Sequence, residues 1–171
     1  MGSHASDEQV RAVVEGVRRL VRALRESSRE AETRVGISGA QLFVLQQLAG
    51  APALSVSDLA ERTLTHQSSV SVVVQRLVTA GLVARTPSAS DGRRSELRLT
   101  ARGRNLLRSS PRLAQERFID AVRALPGARR RQLASCLHDV VARMRLDGGA
   151  ATMFFEDGAA GSRSRRTNAR R

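Results

Sequence analysis

The 171 residues, 41% of them hydrophobic, are enough for one domain with a short extension. A formal net charge of +13 favours a polyanionic partner such as nucleic acid, although charge alone gives affinity without sequence preference. The sequence contains neither about 18 consecutive apolar residues nor the apolar stretch of a signal peptide, which predicts a cytoplasmic protein. Its single cysteine, Cys136, excludes an intrachain disulfide framework.

The amino-terminal region predicts one long amphipathic helix. Residues 1–6 open with Met-Gly-Ser-His and are interpreted as disordered or as an expression-tag remnant. Over residues 7–34, apolar side chains recur at helical spacing. They are Val10, Val13, Val14, Val17, Leu20, Val21 and Leu24. One small domain would not cover such a long stripe, so we expect this helix to pack on a second chain as well.

Three shorter helices follow. Ser38-Gly39-Ala40 begins the first, and Gly50-Ala51-Pro52 ends it. Ser57 is predicted to cap the next, over residues 58–62, and a short turn then leads to a helix over residues 67–80. The last two have the spacing of a helix-turn-helix. The second of them has an apolar face with Val70, Val73, Val74 and Leu77, an opposite face with Ser68, Ser71, Val72 and Gln75, and Ser69 and Arg76 at the flanks.

The next segment predicts a β-hairpin. Two short apolar runs within residues 82–103 alternate as half-buried strands do, and they flank a ten-residue loop, residues 86–95. Asp91-Gly92 in this loop accepts the positive φ of a tight turn. The hairpin would therefore hold Arg93 and Arg94 away from the body of the protein.

Two further helices and a tail complete the chain. Thr100 is predicted to cap a helix that Ser110-Pro111 kinks or restarts, and a final helix spans residues 128–145. Together with the first helix, these helices suggest an intertwined dimer. The composition of residues 148–171 predicts a mostly disordered basic tail. This tail either adds unspecific phosphate contacts or has no specific role. Within it, Met153-Phe154-Phe155 is the segment that could anchor the tail.

A resemblance to a known family rests on two runs, QSSVSVVVQRLVTAGLVAR and DGRRSELRLTARG. They resemble the recognition helix and wing of the MarR family of bacterial transcription regulators. The residues in register with the family pattern are Arg85, Asp91, Arg93, Leu99, Thr100 and Gly103. The resemblance implies a mainly α fold with a small β-hairpin wing. In it, a winged helix-turn-helix at residues 38–100 lies between dimerisation helices at residues 7–37 and 101–147.

The resemblance also implies a function. A homodimeric, nucleoid-associated repressor would bind a pseudo-palindromic operator, with its recognition helices about 34 Å apart, and a small aromatic or anionic effector would release it. Carried over by position, the DNA contacts are Ser68, Ser69, Ser71, Val72, Gln75 and Arg76 from the helix and Arg93 and Arg94 from the wing. Arg85 and Asp91 would hold the wing together. The effector pocket would involve Arg18, Arg22, Phe43 and Phe118.

Several of these residues have a second, structural interpretation. Ser68 can cap its helix, Val72 can belong to the edge of the core, and Arg93 and Arg94 can be solvated turn residues. Cys136 either senses oxidants or acts as a small hydrophobe on the apolar face of the last helix, the commoner role. Val72 also departs from the family pattern, which often has a basic or polar residue there. Valine can contact a thymine methyl group but cannot form a hydrogen bond with a base edge.

The sequence also bears on functions other than transcription regulation. His66 and His138 have no companion ligands at metal-binding spacing, and no catalytic motif occurs, so the sequence predicts neither a metal site, a cofactor nor an enzyme. Two rivals remain. One is an architectural DNA-binding protein without sequence preference, and the other is a winged-helix module that binds another protein.

Overall fold

The computed structural model describes residues 2–87, 95–146 and 153–154, with the side chains of residues 2–5 excepted. In chain order its elements are α1 (Gly2–Val35), α2 (Gly39–Ala49), α3 (Val56–Thr63), α4 (Gln67–Thr79), β1 (Val83–Pro87), β2 (Ser95–Leu99), α5 (Ala101–Arg108), α6 (Ala114–Ala124) and α7 (Gly127–Arg143). The predicted fold class, mainly α with a two-stranded antiparallel hairpin, is confirmed. Among the described helices, none combines the length and apolar character that a membrane crossing needs.

Two helix starts differ from the predictions. α1 begins at Gly2, five residues before the predicted start at residue 7. α3 begins at Val56 and is capped by Ser55, not by Ser57. The Ser55 hydroxyl accepts from the Asp58 amide at 3.1 Å, and the Asp58 carboxylate accepts from the Ser55 amide at 2.8 Å. This reciprocal capping box needs an acceptor three residues after the cap, which Ser57 lacks because Ala60 follows it at that distance.

α2 lies at the centre of the molecule. It contacts α1, α3, α4, α5 and β2, and its side chains are buried on several sides, which is why its sequence is apolar almost throughout. Its buried side chains pack with those of α3, α4 and the hairpin in one hydrophobic cluster. The recognition helix predicted from the sequence, α4, is therefore held on a rigid base.

The hairpin has a fixed register. Val83 pairs with Leu99 and Arg85 with Leu97, and Leu97 is fully buried. Leu54 adds a further antiparallel bridge to Leu97, with its amide 3.2 Å from the Leu97 carbonyl oxygen. The strands also include residues 86, 87 and 95, which the prediction placed in the loop.

Two serines attach α1 to the rest of the chain. The Ser28 hydroxyl accepts from the amide of Gly39, at the start of α2, at 3.3 Å. The Ser27 hydroxyl accepts from the amide of Ala114, at the start of α6, at 2.9 Å. Residues 6–23 of α1, by contrast, are exposed along their whole length. Only the carboxyl-terminal third of α1 is thus part of the body of the fold.

Burial also differs between α7 and the described residues that follow it. α7 has no buried residue in the single chain, so Cys136 is exposed together with the apolar face on which the sequence placed it. Met153, however, is only 3% exposed and belongs to the central hydrophobic cluster. Met153 therefore anchors the chain beyond α7, as the sequence suggested, while the other tail residues except Phe154 lie outside the described residues.

Leu64 lies in a strained backbone conformation. It ends α3 with φ 54° and ψ 41°, and its side chain is 67% exposed. A left-handed conformation costs a residue with a Cβ atom about 1–2 kcal/mol, and glycine avoids that cost but loses more backbone entropy on folding. We expect Leu64→Gly to raise the free energy of unfolding by about 0.5–1 kcal/mol, measured by urea titration.

The exposed helical residue Ser71 provides the matched control. Ser71→Gly is expected to lower the free energy of unfolding by about 0.5 kcal/mol, because glycine weakens a helix interior. If Leu64→Gly had a lower free energy of unfolding than the unaltered chain, the conclusion that the Leu64 backbone is strained would be wrong.

Candidate nucleic-acid interface

α4 presents one face to solvent. Its buried side includes Val70, Val73, Val74 and Leu77, which pack into the core. Five of the six helix residues predicted to face DNA lie on the exposed side. They are Ser68, Ser71, Val72, Gln75 and Arg76. The face predicted from helical periodicity is thus present as an exposed surface.

Ser69 does not belong to this surface. It is only 6% exposed, so its side chain cannot reach a ligand outside the fold, and its predicted DNA contact is wrong for the fold as described. The physical reason is its position four residues before Val73, which lies one turn away on the same side of the helix and points into the core.

The amino terminus of α4 lacks a side-chain cap. His66 occupies the N-cap position with an extended backbone and makes no capping hydrogen bond, and Ser68 is the second residue of the helix. Ser68 is therefore not the cap that its alternative interpretation required. The first amide groups of α4 point out of the helix end, a geometry that suits a phosphate oxygen.

The wing is only partly described. Arg85 is exposed on β1, whereas Asp91, Arg93 and Arg94 lie outside the described residues, so their roles stay predictions. Sequence reasoning missed Arg98, whose guanidinium lies 2.8 Å from the Glu96 carboxylate and 3.4 Å from the Pro52 carbonyl oxygen. The alternation of SELRL, which puts these two side chains on one face of β2, was the available signal.

The base of the wing is locked onto α5. The Thr100 hydroxyl donates to the Gly81 carbonyl oxygen at 2.8 Å and accepts from the Gly103 amide at 3.0 Å. The Thr100 amide also donates to the Leu82 carbonyl oxygen at 3.1 Å. Thr100 therefore caps α5, as predicted, and at the same time fixes where β1 begins.

A cleft of about 200 Å³ lies where α2, α3 and α6 meet. It is lined by Phe43, Gln47, Arg62, Arg112, Glu116, Ile119, Asp120 and Arg123. Of the four predicted pocket residues, only Phe43 lines this cleft. Arg18 and Arg22 lie on the exposed half of α1, and Phe118 is not among the lining residues. The four predicted residues therefore do not line one cleft in the single chain, and a pocket that combines them stays a prediction.

Charged side chains form a network at the rim of the cleft. Arg112 lies 3.0 Å from the Asp120 carboxylate and 4.0 Å from that of Glu116, and Arg123 lies 3.9 Å from Asp120. Burial raises the pKa of Glu116, Arg112 opposes that shift, and Asp120 adds to it. The regular spacing of Arg112, Glu116 and Asp120 along the chain was a signal for this network, but the sequence could not show that Arg62 of α3 lines the same cleft.

Comparisons with known proteins agree with this architecture. Residues 35–94 match the model of the MarR family. The chain is 35% identical over 114 residues to the uncharacterized HTH-type transcriptional regulator YdgJ of Bacillus subtilis. The aligned segment covers 67% of each chain. It is 39% identical over 74 residues to the HTH-type transcriptional repressor MdtR of the same organism, covering 43% of this chain and 48% of that repressor.

A solved structure is similar over most of the chain. It is that of Sco3205, a MarR family transcriptional regulator from Streptomyces coelicolor, in complex with DNA. The two chains are 25% identical, with a TM-score of 0.53 over 82% of this chain and 89% of that one.

Proposed function

The chain belongs to the MarR family of DNA-binding transcription regulators, and from that premise we propose that it is a homodimeric repressor of a pseudo-palindromic operator, released by a small-molecule effector. The observation that carries the proposal is the exposed face of α4, held on a rigid core and flanked by the hairpin. Such a helix fits the major groove, and the hairpin reaches towards the backbone or minor groove beside it.

The dimer is supported by two apolar surfaces without a partner in the described chain. On α1 the exposed side chains are Val10, Val13, Val14, Val17, Leu20 and Val21. On α7 they are Leu133, Leu137, Val140, Val141 and Met144. Because exposed apolar surface of this extent favours association, we infer that α1 and α7 of two copies pack together. A two-fold axis between the copies would relate their α4 helices as a pseudo-palindromic operator requires.

Three parts of the chain have separate roles in the proposed repressor. Residues 38–100 form the DNA-binding unit, residues 7–37 and 101–147 form the dimerisation region, and residues 148–171 form a basic extension. Ser68, Ser71, Val72, Gln75 and Arg76 contact the operator from α4. Arg93 and Arg94 contact it from the wing. A regulator of chromosomal genes acts at the nucleoid, so we place the protein in the cytoplasm.

The effector site is assigned to the cleft between α2, α3 and α6. The partly buried Ile119 offers apolar surface for a ring, next to Phe43, which is only 1% exposed. Arg62, Arg112 and Arg123 carry guanidinium groups that suit a carboxylate, and a ligand would compete with Asp120 for the last two. The cleft joins the DNA-binding unit, through α3, to the dimerisation region, through α6. A ligand that prefers an arrangement unsuited to DNA must weaken operator binding by the same factor by which DNA weakens ligand binding.

We expect at least one member of a panel of phenolic acids to raise the thermal unfolding midpoint and weaken operator binding. Arg123→Ala is expected to reduce the ligand affinity at least tenfold, because it removes a cation from the cleft. Arg18→Ala, outside the cleft, should leave that affinity unchanged. A panel without any stabilising compound, or an equal response in Arg123→Ala, would contradict this site.

Operator binding is tested by fluorescence polarisation across a salt series. The DNA upstream of the protein's own gene is compared with a scrambled duplex. A preference of about 10³-fold at physiological salt is expected of a specific repressor. Equal affinities that fall steeply with salt would favour the architectural alternative, and no binding at low salt would favour a protein-interaction module.

A further inference from the structure

The exposed face of α4 carries no charged side chain at its centre. Ser68, Ser71, Val72 and Gln75 occupy it, and Arg76 lies at its edge. The formal net charge of the whole chain is +13, so this absence is a local property of the surface. The centre of this face is poorly suited to guanine, whose commonest reader is a bidentate arginine or lysine, a role that among these residues only Arg76 at the edge could take.

Val72 is the apolar member of this face. Its side chain is 44% exposed, and it is not among the partly buried apolar residues that pack against the core in the described part of the chain. The interpretation of Val72 as a residue of the core edge therefore does not hold. One helical turn on either side lie Ser68 and Arg76, and Gln75 is three residues away, so Val72 has polar neighbours around it.

The chemistry of the major groove offers one apolar group that an exposed valine can contact. This group is the 5-methyl of thymine, and the adenine paired with it presents the N6 and N7 atoms that glutamine binds in a bidentate manner. We propose that Val72 reads the methyl group of a thymine in each operator half-site, and that α4 thereby selects A·T pairs, with Gln75 on an adjacent adenine. This inference rests on the proposed function, because it requires α4 to enter the major groove.

The operator half-sites for the test are obtained by selecting, from a pool of random duplexes, those that the full chain binds. Each thymine of the selected duplex is then replaced singly by deoxyuridine, which removes the methyl group and keeps the base-pairing groups. The expected result is one thymine per half-site whose replacement weakens binding about fourfold. Replacement in both half-sites should weaken it about fifteenfold.

A double-mutant cycle assigns the methyl contact to a residue. Val72→Ala should weaken binding to the thymine duplex and show little further loss on the deoxyuridine duplex. Ser71→Ala, on the same face, should keep the full fourfold loss. Both positions are exposed, so unfolding midpoints close to that of the unaltered chain are expected and are measured alongside.

The outcomes separate this proposal from the function it rests on. If no duplex is enriched, the proposed repressor function fails. If an operator is enriched but no deoxyuridine replacement weakens binding, or if Val72→Ala keeps the full deoxyuridine loss, then repressor function stands and the role of Val72 is overturned.

Discussion

Replacing Gly103 with alanine is expected to lower the free energy of unfolding by about 3 kcal/mol. A Cβ atom at this position would lie 2.3 Å from the Leu82 carbonyl oxygen and 3.2 Å from its carbonyl carbon. The obstacle is backbone that Thr100 already holds through hydrogen bonds, so neither α5 nor the start of β1 can move without breaking the base of the wing. Urea unfolding, followed by circular dichroism, measures the loss.

Gly16 is the matched control for this substitution. It lies within α1, and a Cβ atom there would have no neighbour within 4 Å. Gly16→Ala is expected to stabilise the protein by up to about 1 kcal/mol, because alanine favours the helix. A Gly103→Ala variant as stable as the unaltered chain would show that α5 and the wing are not in close contact.

Val17→Asp is expected to abolish the proposed dimer at micromolar concentration. The side chain of Val17 is about half exposed in the single chain and lies in the middle of the apolar stripe of α1. Each copy would lose the burial of a valine, about 1.5–3 kcal/mol, and would gain a carboxylate that must be desolvated. Over both copies the dimer dissociation constant should rise more than about 10³-fold, as measured by sedimentation equilibrium.

The operator tests the consequence of dimer loss. A single subunit can engage only one half-site, so Val17→Asp should reduce operator affinity at least 100-fold. Ala12→Asp, on the opposite side of the exposed part of α1, should leave both dimer and operator affinity unchanged. If Val17→Asp remains dimeric, the interface lies elsewhere and the proposed arrangement of α1 and α7 is wrong.

Most of the elements were predictable because their signals are local. The spacing of Val70, Val73 and Leu77 defines which side of α4 is buried, and Thr100 identifies the start of α5. At the start of α3, Ser55 and Ser57 are both residues that can cap a helix. Ser55 is the cap because it forms reciprocal hydrogen bonds with Asp58.

Local patterns in the sequence therefore determined the order of the elements. Helical periodicity determined the exposed face of α4, since side chains three or four residues apart share a side of a helix. Only the tertiary structure decided that Arg62 joins Arg112 and Arg123 at one cleft and that Met153 returns to the core. These facts depend on contacts between residues far apart in the chain. Such contacts are made by packing and leave no periodic pattern in the sequence.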